Sequence, residues 1–275
     1  MKRFFCAILT LCLLAFCGCA GLPDAPSVAT TDATAGGTTA PKETTLPTET
    51  AEQTEPAPTE PEITTPLHAD TYVEGVSLEQ MTEYFEEVVL NIEYTQSQTG
   101  ILRKWTEPIT YRIIGEATQE DVTVLTDLFA QLNEVPGFPG ISLAEVGAFP
   151  SVTLNFLNRE DLRRNFADVV NYEEVDGAVQ FWFYNATNNI YNGRIGYCTE
   201  IDQSTRNSVL VEEVINLLGI SDTTLREDSI VYQYGSEITQ LSEVDWAILK
   251  LLYDPAMECG MDRETCAAVL ETLYY

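Results

Sequence analysis

Glu212-Glu213-Val214-Ile215-Asn216-Leu217-Leu218-Gly219-Ile220-Ser221-Asp222 is the stretch on which the reading of this chain turns. Apolar residues recur through it at helical spacing, and 202–218 is predicted to be one helix. Gly219 follows the last of them, where a left-handed residue would close the helix. Leu210, Val211, Val214, Ile215, Leu217 and Leu218 form a broad apolar face, and Glu213, Asn216 and Arg206 fall on the remaining polar face. Two readings stay open. Glu212 and Asn216 are four residues apart and share one side of the helix, so they could grip one ion between them. An ordinary amphipathic helix with solvated acids explains the same residues without any site. If the carboxylates of Glu212, Glu213 and Asp222 do gather, their mutual repulsion raises their pKa values or recruits a cation. Arg206, one turn back on the polar face, is the candidate partner.

Working outward, the block 70–275 is uniform in composition and of the size of one domain. Residues 77–90, 118–132, 241–253 and 263–274 carry apolar residues at helical spacing. Residues 109–114, 151–157, 178–184 and 190–197 read as strands, the last with a bulge expected at Asn192-Gly193. Pro136-Gly137-Phe138-Pro139-Gly140 is a loop, and Asn185-Ala186-Thr187 reads as a turn. Arg159, Arg163 and Arg164 belong to a solvated helix or loop. The order predicts an α+β domain around one mixed sheet. Phe181 and Phe183 lie on one face of the aromatic strand and could line a binding groove or lie under a neighbouring helix.

The chain's 14 Lys and Arg against 43 Asp and Glu give a net charge of −29, which argues against nucleic acid as a partner. Its single His excludes a two-His zinc site. That residue, His68, ends a stretch rich in Thr, Pro and Glu. Residues 20–69 hold eight prolines and 13 threonines, no aromatic residue and one basic residue, Lys42. Such a composition cannot bury enough apolar surface to offset its ordering entropy, so a disordered tether is expected. Before it, Met1-Lys2-Arg3 and the apolar run 4–16 lead into Cys17-Gly18-Cys19. This is an export signal. It resembles a bacterial lipoprotein signal, which implies lipid on Cys19 and a cell-membrane anchor on the extracytoplasmic face. Cys17 is the second choice, and plain secretion is the other reading. Cys198, Cys259 and Cys266 remain for the domain, as free thiols or with two of them paired.

The quoted stretch resembles the active-site helix of the zincins in its extended metzincin form, His-Glu-x-x-His-x-x-Gly-x-x-His or Asp. Glu212 and Asn216 stand at the two His positions, Glu213 at the general base, Gly219 at the turn and Asp222 at the third ligand. The resemblance implies a zincin-like domain with an edge strand before this helix, and a return of Asp222 toward Asn216. It also implies a degenerate metal site. Zinc is not expected there, and an all-oxygen set suits Ca2+ or Mn2+ better. A further resemblance is to the uncharacterised bacterial domain of unknown function 2927, over about 103–261. It rests on Lys104-Trp105-Thr106-Glu107-Pro108-Ile109, Glu212-Glu213, Leu218-Gly219, Asp228-Ser229-Ile230, Leu241-Ser242-Glu243-Val244-Asp245, Leu252-Tyr253-Asp254-Pro255 and Gly260-Met261. The expected function is a non-catalytic binding or interaction module that meets a protein or cell-envelope ligand. Candidate ligand-binding residues are Glu213, Phe181 and Phe183. The alternative is a metal-dependent peptidase with an oxygen-rich site.

Overall fold

The computed structural model describes residues 70–90, 100–170, 174–234 and 237–274. The signal, Cys19 and the Thr/Pro-rich tether lie outside the described residues.

Twelve elements follow in order. Helix α1 is Leu78–Leu90, β1 is Lys104–Trp105, β2 is Ile109–Gly115 and α2 is Gln119–Leu132. Then come β3 (Ile141–Leu143), β4 (Val152–Leu157), α3 (Arg159–Asn165), β5 (Gly177–Phe183) and β6 (Asn189–Cys198). Helices α4 (Gln203–Leu217), α5 (Glu243–Tyr253) and α6 (Arg263–Leu273) complete the domain. The long helices and the four principal strands fall where periodicity put them. Two short strands, β1 and β3, carry too few residues to show a period, and α3 separates β4 from β5.

The sheet is mixed, as expected. Its hydrogen-bonded neighbours run β1-β6-β4-β2-β3, all parallel, and β5 pairs antiparallel with β6. Gly193 has Val152 on one flank and Phe181 on the other, and Ile190 has Trp105 and Phe183. So β1 and β4 follow one another along the same side of β6, and β5 has the other side to itself. Among the described residues no strand pairs with the far edge of β5. The β5–β6 hairpin turns through Asn185-Ala186-Thr187, with Asn188 in the left-handed region at φ 60°. The irregularity expected at Asn192-Gly193 falls one residue earlier. Trp182 pairs with Asn192 and Phe183 with Ile190, which leaves Tyr191 as the extra residue.

Helices cover both faces of this end of the sheet. A methyl group at Gly193 would meet Leu217 of α4, and one at Gly196 would meet Leu162 of α3 and Phe166, which caps it. Residues 193 and 196 point to opposite faces, because side chains alternate along a strand. The main core lies on the α4 side, and a small second cluster of Leu162, Phe166, Val169, Val170, Val175, Ala178 and Cys198 lies under α3. Helix α4 is buried along most of its length, so each of Val214, Ile215 and Leu217 contributes about 1.5–3 kcal/mol of apolar burial. All three domain cysteines are free thiols. Among the described residues no helix is long and apolar enough to cross a membrane.

Candidate functional site

Asp202 caps α4 by accepting from Thr205 N at 3.0 Å, which fixes where the helix starts and so which residues face the sheet. The polar face that the sequence suggests is not solvated. Arg206, Glu213 and Asn216 are all buried. Arg206 does not serve the acid cluster either. Its Nε donates to Asp121 Oδ1 at 2.9 Å, and its other nitrogens reach Thr199 O, Ile201 O and Gln203 Oε1. Burial pushes the Asp121 carboxyl up, but hydrogen bonds from Gln203, Thr118 and Arg206 outweigh it and hold the group below its ordinary value. The pair docks α2 on α4. Asp121 was invisible as a partner because it also completes a capping box with Thr118, which accounts for it locally.

The helix stops where expected. Leu218 ends it, and Gly219 takes φ +98°. The turn fits beneath the segment before β1: a methyl group at Gly219 would sit 2.8 Å from Arg103 O. Trp105 Nε1 donates to Leu217 O at 2.9 Å and satisfies one of the terminal carbonyls of α4. The chain then doubles back. Ser221 N donates to Val88 O at 2.7 Å, and buried Glu87 accepts from the Thr223 hydroxyl and from Thr224 N and Oγ1. Glu87 on α1 therefore anchors the return. Nothing in its own helix announces this role.

The return brings Asp222 to Asn216, whose Nδ2 donates to Asp222 Oδ1 at 3.3 Å. Glu213 lies one turn away, 5% exposed. Glu213 Oε2 and Asn216 Oδ1 are both buried and have no hydrogen-bond partner among the described residues. Burial raises the Glu213 pKa well above its ordinary value, and the charges of Glu212 and Asp222 push it further the same way. Burial also raises Asp222, to about 6, against the opposing hydrogen bond from Asn216. Glu212 is half-buried beside them.

Glu213 meets the sheet at Gly177, the first residue of β5. A methyl group there would lie 2.3 Å from Glu213 Oε1 and 2.5 Å from Val209 Cγ1, so only glycine permits this approach. Gly177 reads as the tail of a turn in sequence, and its part in the site comes from the fold alone. Phe181 shares this face of β5, with its Cβ in contact range of Gly193 beside Leu217. Phe183, two residues on, has Arg103 Cζ 4.2 Å above its ring. Both are half-buried and pack against the main core. Glu213, Phe181 and Phe183 thus lie along one helix–strand seam. Asn216 and Asp222 are brought together at the end of α4.

The residues that the zincin resemblance assigns as ligands, Glu212, Asn216 and Asp222, do not fit zinc. They offer oxygen alone, whereas zinc sites of this kind take imidazole. The Asn216 amide and the Asp222 carboxylate are already engaged with each other. Among the described residues no group of three His, Cys, Asp or Glu is placed to hold a metal ion. The raised pKa of Glu213 favours the protonated acid over the carboxylate at a given pH.

The remaining motif residues bond to one another rather than to this site. Lys104 Nζ donates to Leu252 O at 2.8 Å and Asp254 O at 3.3 Å. Gly260 N donates to Leu102 O, and Leu102 N to Met261 O. Asp245 accepts from Ser229 Oγ, Ile230 N and Ser242 N. These stretches are joints of the fold. Comparison with curated proteins gives no match. A sequence model of one family, described as a protein of unknown function (DUF2927), matches residues 78–272, from the first turn of α1 to the last of α6. That is more than two thirds of the chain, and the joints just described hold its parts together, so the chain belongs to the DUF2927 family.

Proposed function

We propose that this chain is a lipid-anchored surface protein whose zincin-like domain binds a protein or cell-envelope ligand without cleaving it. The observation that carries this reading is Glu213. The resemblance puts it at the general-base position, yet it is buried against Gly177 and its Oε2 lacks a partner among the described residues, where no group of three His, Cys, Asp or Glu is placed to hold a metal ion. Glu212 and Asn216 stand where the resemblance calls for two imidazole ligands. The likeness to a zincin is supported by the antiparallel edge strand β5 before β6 and α4, by the left-handed Gly219, and by the contact of Asp222 with Asn216.

A binding role draws on β5. From Gln180 to Phe183 the strand is half-exposed, and its outer edge pairs with no described strand. Such an edge accepts an extended peptide through main-chain hydrogen bonds. Anchoring follows from the basic start, the short apolar run and Gly18-Cys19.

The test is metal and peptide together. The purified chain, incubated with Zn2+, Mn2+ or Ca2+ and then dialysed, is expected to retain substoichiometric metal and to leave a peptide library intact. Stoichiometric zinc with cleavage that Glu213→Gln abolishes overturns the reading. Mass spectrometry of the native protein checks the anchor separately: lipid on Cys19 is expected, and a free thiol there removes it.

A further inference from the structure

Away from α4 and β5, a second concave site has no part in the reading above. Residues 70–74, the end of α2 with Pro136, and the first turns of α5 line an open groove with a volume of about 730 Å3. That is within the range of small-molecule sites, roughly 300–1,000 Å3. Its wall is built in advance. Thr71 Oγ1 donates to Leu273 O at 2.6 Å, Val73 N donates to Tyr274 Oη at 3.3 Å, and the Tyr72 ring packs on Tyr274 with centroids 6.0 Å apart.

The lining has two characters. Val73, Val135 and Ala247 are buried and give an apolar floor, with the half-buried indole of Trp246 beside them. Around it stand four exposed carboxylates, Asp70, Glu74, Glu134 and Glu243. The one lining cation, Lys250, donates its ammonium to Asp70 O at 3.0 Å. An anion is repelled from this rim. A neutral apolar ligand would cover the floor and gain nothing from the carboxylates around it. An alkyl chain carrying ammonium groups meets both demands. Its methylenes cover the floor, and its charges reach the carboxylates and the faces of Trp246 and Tyr72.

We propose that this groove binds an aliphatic polyamine. The ligand lies along the groove between residues 70–74 and α5, with one ammonium over Trp246. The net charge of −29 raises the local concentration of any cation, so diffuse attraction has to be separated from a site. Calorimetry of the full chain with spermidine, in 0.15 M NaCl to screen that attraction, is the experiment. Saturable binding at one site is expected, with quenching of tryptophan fluorescence. Glu134→Gln combined with Glu243→Gln, both exposed, is expected to weaken it about tenfold, and Trp246→Leu by a similar factor. Mg2+ at equal ionic strength is expected to compete poorly. Absence of saturable binding overturns the proposal. So does binding that these substitutions leave unchanged, or that Mg2+ displaces as well as spermidine does. Binding of tetralysine without spermidine also overturns it, because the occupant would then be a basic peptide.

Discussion

Asp245 and Glu213 are two acids on two helices, 4% and 5% exposed, and the structure treats them in opposite ways. Asp245 accepts from Tyr84 Oη at 3.3 Å, Ser229 Oγ at 2.6 Å, Ile230 N at 3.0 Å and Ser242 N at 2.9 Å. Its charge is compensated by donors from α1, from the 229–230 segment and from its own cap. Glu213 faces other acids, and one of its oxygens has no donor among the described residues. A fully bonded buried carboxylate is a fastening. A buried carboxyl left without a donor is a cost, and it persists where something other than stability holds it in place. The contrast separates a buried acid that fastens the fold from one whose position the fold does not satisfy.

The first way to break the comparison is to remove the fastening. Asp245→Ala strands the donors of Ser229, Ile230 and Ser242 in a dry environment and also loses half of a capping box. Urea denaturation is expected to show a loss of about 3–5 kcal/mol. A loss below about 1 kcal/mol would mean that the hub is not a fastening. The second way presses on the seam. Gly177→Ala drives a methyl group into Glu213 Oε1 and Val209 Cγ1, and a cost of about 1–3 kcal/mol is expected. In a Glu213→Ala background the same substitution should cost clearly less. Equal costs in the two backgrounds would show that the strand yields instead of the side chain.

Much of the fold was legible in the sequence because α2, α4, α5 and α6 and the four longer strands each carry their own period or cap. What stayed hidden were long-range pairings. Thr223 and Thr224 find Glu87 136 and 137 residues away, and Arg206 finds Asp121 85 residues away. No local pattern encodes those partners. The amphipathic reading of α4 assumed that its polar side faced water, but that side faces α2, β5 and the returning chain. Whether a polar face is solvated depends on what packs on it, and that is a tertiary fact. The contact of Asp222 with Asn216 was expected only from a resemblance, since spacing alone does not turn a chain after a helix.

The subtlest test changes Glu213 by one atom and lets pH report. The folded-state pKa of Glu213 is raised, with burial as the main cause and the charges of Glu212 and Asp222 behind it. Tyr197, packed at the same place, is also pushed well up, by burial first and then by the charges of Glu213 and Asp121. A carboxyl whose folded pKa exceeds its unfolded one binds its proton more tightly when folded. Its stabilising contribution is complete below the unfolded value, near 4, and fades as pH rises through the folded value. Asp222 adds a decline of the same sign that ends near pH 6. Wild-type stability is therefore expected to fall from about pH 4 toward neutrality. Glu213→Gln removes its own share of that fall and leaves that of Asp222. The variant should match the wild type near pH 4 and exceed it by at least about 1.4 kcal/mol at pH 7, the equivalent of one pKa unit, because a neutral amide carries no charge to desolvate there. Parallel stability curves for the two proteins from pH 4 to 8 would show that Glu213 ionises at no cost, and the contrast with Asp245 would then be one of geometry alone.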